Sequence, residues 1–133
     1  LLQGDILSLD TARLEILWPV PPVEGTLNNQ SMVIHITYDD QDILVMGDVD
    51  IKVEQKLLKE GRVPDDVDVV VVGHHGAIDT SHQQFISLVK PEFAVISING
   101  DNLRGYPDAK VVERWKEGGS KLHLTFDHGD FVY

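Results

Sequence analysis

The apolar positions of this chain form short runs that alternate with segments of helical spacing. ILVM at 43–46 and the run at 67–72 have the length and the β-branched content of buried strands. SMVIHITY at 31–38 alternates apolar and polar residues, which is typical of a strand with one solvated face. The run at 93–98 predicts another buried strand. We expect these segments to form the centre of a sheet.

Three segments carry apolar residues at the spacing of an amphipathic helix. The first spans 49–60 and ends at Gly61, the second is capped by Thr80 or Ser81 and ends at Lys90-Pro91, and the third spans 108–117 behind Pro107. The remaining predicted elements are strands at 4–9 and 13–18, a loop from Pro19 to Gln30, a turn at 39–42, and strands at 121–125 and 131–133. Because strands and helices alternate along the chain, the predicted class is α/β or α+β.

Metal-capable side chains stand at the ends of two buried strands. Gly47-Asp48 follows the strand at 43–46, and His74 and His75 follow the strand at 67–72. Carboxylate and imidazole are ligand types that suit Zn²⁺, Mn²⁺ or Fe. The glycines that flank the histidine pair allow a tight turn and a close approach of the backbone to a ligand. We therefore expect Asp48, His74 and His75 at one edge of the sheet as candidate metal ligands, although two or three ligands do not complete a site.

Each of these residues also has a plainer interpretation. In one alternative Asp48 is the N-cap of the helix that follows, a role that Asp fills well. In another, Asp48 and Asp50 are the Asp-x-Asp motif of a Mg²⁺-dependent phosphatase, a poor match because the acidic pair at 65–66 precedes its strand. The histidine pair has the alternative of an exposed turn with incidental histidines. The other four histidines occupy ordinary positions and are not expected ligands. His35 is expected on a solvated strand face, His82 in the first turn of a helix, His123 on a strand and His128 in a turn.

Composition and charge narrow the functional classes. The chain has 133 residues and no cysteine, so we expect one domain or part of one, without disulfides or a thiolate zinc site. No apolar run reaches the length of about 18 residues that a membrane helix needs, and no signal peptide is visible. The first residue is Leu1 rather than Met, which suggests an excised or mature fragment. The net charge of −11 repels phosphates and argues against an autonomous DNA-binding module.

Three segments in order carry a resemblance to a known family. They are NNQSMVIHITYDDQDILVMGDVD, VDVVVVGHHGAIDTSHQQFISLVKPEFAVIS and NGDNLRGYP. Together they resemble the C-terminal part of the metallo-β-lactamase-fold domain of ComEC/Rec2-type DNA internalisation (competence) proteins and of free-standing hydrolase relatives. The family pattern runs Asn-(Asp/Asn)-x-Ser, Thr-Gly-Asp, His-His-Gly-Ser and Asn-x-x-Gly-His-Pro. The resemblance implies an αββα sandwich of which this chain is the C-terminal half.

The resemblance also implies a role for each matched residue. Asp48 matches the carboxylate that bridges two metal ions, and His74 matches a ligand of one ion, with His75 as the second candidate. Asn28 and Ser31 match positions that shape the site loop. Asp48 and His74 are therefore the expected catalytic residues, and all three metal-capable residues are expected ligands.

The chain departs from the family pattern in ways that bear on its chemistry. Met46, Ala77 and Tyr106 stand where the family has Thr, Ser and His, and the last change removes a side chain that reaches the metal site. The family's main ligand cluster, His-x-His-x-Asp-His, belongs to the N-terminal half and is not in this sequence. We therefore expect one partial domain over 1–133 that is inactive by itself and binds Zn²⁺ or Mn²⁺ weakly or not at all. The complete domain is expected to hold two divalent ions.

The function that the resemblance implies is metal-dependent hydrolysis of phosphodiesters during DNA uptake. The expected partners are DNA, the missing N-terminal half and the membrane channel of the same protein. The expected place is a soluble domain of a bacterial inner-membrane protein, on its periplasmic or extracellular side. Two alternatives stay open: a non-catalytic interaction or gating module, and the Asp-x-Asp phosphatase. A missing half also predicts an uncovered apolar sheet face and self-association of the chain.

Overall fold

A computed structural model describes residues 1–22 and 25–133, and these form one mixed sheet flanked by helices. The order of its seven strands in space follows their order in the chain. The first four are antiparallel neighbours and the last four are parallel, with β4 common to both halves. The strands are β1 (Ile6–Leu9), β2 (Ala12–Trp18), β3 (Val33–Tyr38), β4 (Gln41–Val45), β5 (Val69–Val71), β6 (Phe93–Ile96) and β7 (Lys121–Leu124). The predicted mixed class is confirmed.

Helices connect the parallel strands, because a parallel pair needs a crossover. They are α1 (Ile51–Lys59), α2 (Gln83–Val89) and α3 (Ala109–Glu117), and a short α4 (Thr125–His128) follows β7. The core lies between α1–α3 and one face of the sheet. Its buried side chains include Leu44, Met46, Val70, Val72, Ala94 and Ile96 from the sheet and Val53, Leu57, Phe85, Ile86, Val111 and Trp115 from the helices.

The opposite face of the sheet is also apolar. Because side chains alternate along a strand, the residues next to the core positions point away from α1–α3. Cross-strand register places ten of them side by side: Leu14, Ile16, Ile34, Ile36, Ile43, Val45, Val69, Val71, Phe93 and Val95. Ile16, Val69 and Val95 are buried, and the other seven are only half-buried. We call this set the open face. It agrees with the expectation of an uncovered sheet face.

The C-terminal segment differs from its prediction. The expected strand at 131–133 does not form, and the strand at 121–125 ends at Leu124 because Thr125 begins α4. Gly129 follows α4 with a φ of 74°, which turns the chain away from the edge of the sheet. The rings of Phe131 and Tyr133 then pack on Phe93, with centroid distances of 5.4 and 5.5 Å. Three residues of strand-like pattern are too few to hold an edge against this packing.

Smaller differences concern helix starts and the long loop. The N-cap of α2 is His82, not Thr80 or Ser81, and its ring nitrogen accepts the N–H of Gln84. The predicted loop from Pro19 to Gln30 contains a 3₁₀ turn at Leu27–Gln30, and positions 23 and 24 of that loop lie outside the described residues. No helix in the described part of the chain is long and apolar enough to cross a membrane.

Candidate metal centre

The carboxyl ends of the parallel strands bring the predicted site residues to one edge of the sheet. Gly47 and Asp48 follow β4, the turn at Gly73–Gly76 follows β5, and Ser97 follows β6. These three strands are neighbours, so their ends meet. The edge is therefore lined by a carboxylate, two imidazoles and the backbone carbonyl of Ser97.

Gly47 lets the end of β4 lie close against the segment that precedes β3, and it is hydrogen-bonded to the histidine turn. Its φ of 57° lies in the left-handed region, and a Cβ there would meet the carbonyl oxygen of Met32 at 2.8 Å. No residue with a side chain fits such a position without strain. The carbonyl of Gly47 accepts the N–H of His74 at 2.9 Å. That hydrogen bond ties the strand end that carries Asp48 to the histidine turn.

Both histidines of the turn adopt backbone conformations that side-chain residues rarely occupy. The φ angles are 45° for His74 and 54° for His75. Gly76 has a φ of 75°, and a Cβ there would lie 2.7 Å from Cβ of Pro107. Backbone strain of this kind is retained where the surrounding structure enforces it, and it is concentrated at functional sites. The incidental-turn interpretation of the two histidines does not account for it.

His75 has the geometry of a metal ligand oriented by the backbone. Its Nδ1 lies 2.7 Å from the carbonyl oxygen of Ser97. Because a carbonyl only accepts hydrogen bonds, Nδ1 carries the proton and Nε2 has a free lone pair. That Nε2 lies 3.9 Å from Oδ1 of Asp48, and both side chains are about half exposed, at 48% and 45%. Asp48 and His75 thus present a carboxylate oxygen and an imidazole nitrogen to each other across an open edge.

His74 faces a different set of partners. Its Nε2 lies 3.2 Å from Nδ2 of Asn28, and its Nδ1 lies 3.8 Å from Oδ1 of Asp79. The side chain is 13% exposed, and Nδ1 is buried without a hydrogen-bond partner in the part of the chain that the structure describes. Buried polar nitrogens normally have a partner, so this atom is an exception. Of the two histidines, His75 is the one in contact with Asp48.

Asp50, rather than Asp48, caps α1. One carboxylate oxygen of Asp50 accepts the N–H of Lys52 at 2.9 Å, and the other accepts Nδ2 of Asn29 at 3.0 Å. The amide oxygen of Asn29 in turn accepts the N–H of Asp50 at 3.0 Å. The capping interpretation of Asp48 is therefore wrong. Both oxygens of the buried Asp50 are engaged in hydrogen bonds. Asp48 and Asp50 therefore do not provide the two available carboxylates that the Asp-x-Asp phosphatase hypothesis requires.

Glu54 is a buried carboxylate outside the set of predicted site residues. Its side chain is 1% exposed, and its two oxygens accept the backbone N–H groups of Ser81 and His82, each at 2.7 Å. Burial raises the pKa of Glu54 to about 7, while these hydrogen bonds and the charge of Arg114 act in the lowering direction. A signal existed, because Glu54 stands three residues before Leu57 on the apolar side of α1. Glu54 joins α1 to the segment that follows the histidine turn.

The donors at the edge fit one side of a divalent-cation site. Asp48 and His75 offer a carboxylate oxygen and an imidazole lone pair, which are suitable for Zn²⁺ or Mn²⁺. Within the described residues, however, no three His, Cys, Asp or Glu side chains come together as a possible metal site. Tyr106, which stands where the related pattern has His, places its ring 5.5 Å from that of His74 and 6.4 Å from that of His75. The ligand roles of Asp48, His74 and His75 stay predictions.

The other four histidines lie away from this edge. His35 was expected on a solvated face, yet its side chain is only 16% exposed and its Nε2 lies 2.7 Å from Oδ1 of Asp42. His82 caps α2, and the rings of His123 and His128 lie 5.2 Å apart near the C-terminus. None of them contacts Asp48, His74 or His75 among the contacts that the structure gives.

The chain is similar in sequence to several known proteins. No protein-family model matches it. It is 26% identical over 132 residues to ComE operon protein 3 of Bacillus subtilis, covering 98% of this chain and 17% of that protein. It is 34% identical over 100 residues to competence protein ComA of Neisseria gonorrhoeae, covering 74% and 14%. Recombination protein 2 of Haemophilus influenzae is 33% identical over 111 residues, covering 84% and 14%. The chain thus spans less than a fifth of each of these relatives.

A solved structure shares the fold. It is that of a Parabacteroides distasonis protein assigned provisionally as a metal-dependent hydrolase, with a TM-score of 0.57 and 16% identity. The likeness covers 93% of this chain and 56% of that one. At this identity the likeness shows the fold alone.

Proposed function

Because this chain is a homologue of one segment of the ComEC/Rec2 family and has a metallo-β-lactamase fold, we propose that it is part of a divalent-metal-dependent hydrolase domain that cleaves DNA phosphodiesters during uptake. The observation that carries the proposal is the facing pair of His75 and Asp48 at the carboxyl edge of β5 and β4. A carboxylate and a backbone-oriented imidazole are what such a domain needs at this edge.

The residues of this chain would hold and orient the ions. Asp48 would supply a carboxylate, and His75 and His74 would each supply an imidazole nitrogen, with the Ser97 carbonyl orienting the ring of His75. When bound, divalent ions lower the pKa of water and neutralise charge on a phosphate. The acidic chain itself, with a net charge of −11, offers little attraction for DNA. Attraction for the substrate would therefore depend on bound cations or on another part of the larger protein.

The proposal assigns the rest of the site to the rest of the domain. Since no three ligand-type side chains come together among the described residues, the further ligands would come from the expected N-terminal half, which carries the main cluster of the family. That half would pack on the open face, which has the apolar character of a sandwich interior. We place the whole domain in a membrane-bound competence protein, outside the membrane and beside its channel.

The test is metal binding and DNA hydrolysis compared between two chains. Calorimetry with Mn²⁺ and Zn²⁺ is made on the 133-residue chain and on a chain extended N-terminally through the rest of the domain, followed by hydrolysis of end-labelled single-stranded DNA. We expect tight binding and hydrolysis in the longer chain only. Asp48→Ala is expected to lower metal affinity by about 100-fold or more, since lost orienting partners alone cost roughly 10- to 100-fold.

The matched control is Asp40→Ala, an exposed aspartate in the turn between β3 and β4, at the other edge of the sheet. It should bind metal as the unchanged chain does. If the longer chain binds no metal and leaves DNA intact, the hydrolase proposal fails, and the alternative of a non-catalytic interaction or gating module takes its place. Ala77 and Tyr106, two of the three departures from the family pattern, are the residues that would account for that outcome.

A further inference from the structure

A cavity of about 530 Å³ opens beside the candidate metal centre. His75 forms part of its wall, and the loop after β6 forms most of the rest, through residues that include Ser97, Asn99, Arg104 and Tyr106. This volume lies within the range of about 300–1,000 Å³ in which proteins hold small organic ligands. The cavity therefore continues the metal-facing edge into a space large enough for part of a substrate.

Aromatic rings line the side of the cavity nearest the candidate metal centre. The ring planes of His75 and Tyr106 are nearly parallel, at 19°, with centroids 6.4 Å apart. Asn102 holds Tyr106 in place, because its side-chain oxygen accepts the N–H of Tyr106 at 3.1 Å and its amide nitrogen donates to the Tyr106 carbonyl. These two hydrogen bonds fix the backbone of Tyr106 at the cavity wall. The flat ring that this backbone carries is a platform on which a nucleobase stacks.

The cavity also has a single cationic side chain. Arg104 is the only Lys or Arg among its lining residues, and it forms no ion pair with any described residue. The planar guanidinium recognises phosphate through paired N–H groups. In a chain with a net charge of −11, a cation placed next to an aromatic platform is a selective feature rather than part of a basic surface. Asp101 is the one carboxylate in the lining and would repel a phosphate.

We propose that this cavity binds one nucleotide of a single-stranded nucleic acid, with its base on Tyr106 and its phosphate at Arg104. The inference rests on the proposed function in that it names the part of the substrate held next to the metal edge. Stacking accepts any base, so the site would hold a strand without reading its sequence. A duplex would not place a base there, because its bases are stacked on one another.

The test is made without metal, so that it is independent of hydrolysis. The 133-residue chain in EDTA at low salt is titrated with thymidine 5′-monophosphate, thymidine and inorganic phosphate, followed by NMR shifts of backbone amides. We expect saturable binding of the monophosphate, with the largest shifts in residues 97–106 and weaker binding of either part alone. Tyr106→Ala and Arg104→Ala should each lower the affinity for the monophosphate about tenfold, whereas Tyr106→Phe should leave that affinity unchanged. Asp101→Asn should raise the affinity for the monophosphate and leave the affinity for thymidine unchanged.

Each contrary result has a distinct meaning. Absence of saturable binding by the monophosphate overturns the inference, and so does equal binding of inorganic phosphate that Tyr106→Ala does not change, which would mark a simple anion site. The control Arg13→Ala, on β2 and paired with Glu15, should have no effect. Nucleotide binding by a domain that fails the metal test would sink the hydrolase proposal and leave this site standing. Metal binding without nucleotide binding would do the reverse.

Discussion

The side-chain amide nitrogen of Asn28 lies 3.2 Å from Nε2 of His74, and the two residues are 46 positions apart in the chain. Since an amide nitrogen only donates, Nε2 accepts and the ring proton sits on Nδ1. That Nδ1 is the buried atom without a hydrogen-bond partner among the described residues, 3.8 Å from Asp79. Asn28 thus determines which nitrogen of His74 is free to bind an electrophile, and a metal at Nε2 requires Asn28 to turn away.

The first prediction concerns the tautomer of His74. In the metal-free chain we expect the neutral ring to carry its proton on Nδ1, and we expect Asn28→Asp to move it to Nε2, because a carboxylate only accepts hydrogen bonds. The ¹⁵N shifts and two-bond couplings of the imidazole distinguish the two forms by NMR. His123, whose Nε2 lies 2.9 Å from the carbonyl of Gly129, is the internal control and should not change. An unchanged pattern at His74 in the variant would contradict this assignment.

The second prediction is a pH dependence of stability that originates at Glu54. Its pKa is about 7 in the folded chain against 4.5 for the ordinary group. Between these values the folded state holds a proton that the unfolded state has released, so the free energy of unfolding falls as pH rises through this window. The loss is complete above about pH 7 and amounts to roughly 3 kcal/mol, an order-of-magnitude figure. Asp50, Arg114 and His82 are the charged or titratable groups around this carboxyl.

The free energy of unfolding in urea, measured for the wild type and for Glu54→Gln at pH values between 4.5 and about 7, checks this prediction. The advantage of the wild type over Glu54→Gln should shrink as pH rises, because Gln carries no proton to lose. Two parallel curves would show that Glu54 does not titrate in this window.

The third prediction compares two glycines with similar backbone angles. Gly47→Ala combines a φ of 57° with a contact of 2.8 Å to the Met32 carbonyl, whereas Gly61→Ala combines a φ of 64° with open space. We expect a loss of about 1 kcal/mol for Gly61→Ala and about 3 kcal/mol for Gly47→Ala, since only the latter must move backbone. Chemical denaturation of both variants measures the difference. Equal losses would mean that the Met32 contact relaxes without cost.

The fourth prediction concerns the open face. We expect the chain to self-associate in solution through this face, because half-buried apolar side chains in the centre of a sheet favour association. Sedimentation equilibrium should therefore give a mass above the 14.9 kDa of one chain. Ile36→Glu and Val71→Glu place charge on the face and should return the chain to monomers. Leu103→Glu changes an apolar residue that is 99% exposed but lies elsewhere, and it should leave the mass unchanged. A wild-type monomer would refute the prediction.

Much of the fold could be predicted because its signals are local. The runs before Asp48 and His74 are apolar, rich in Val and Ile, and followed by glycine, so their strand character and their common edge follow from short segments. The end of β7 was less predictable, since Thr125 begins a turn of helix that no strong cap announces. Element boundaries of this kind depend on packing, here that of Phe131 on Phe93.

The contacts of the site could not be predicted in the same way. Which histidine meets Asp48 depends on the left-handed backbone of the turn, and that conformation is enforced by Gly47 and Pro107 from distant parts of the chain. The family resemblance ranks His74 first, whereas the geometry brings His75 to Asp48. The burial of Glu54 could be predicted, because a charged residue among the apolar positions of a helix indicates a buried group with polar partners.

The strand order has a consequence for how the chain acquires its structure. Each strand from β2 onward pairs with the strand that precedes it in sequence, so its partner has already been synthesised when it leaves the ribosome. Sequential pairing keeps the closed loops short, and short loops form quickly. β4 completes the antiparallel part of the sheet, and β5 and β6 are then added beside it. The edge that carries the candidate ligands is therefore assembled on strands that precede it in the chain rather than gathered from the two ends of the chain.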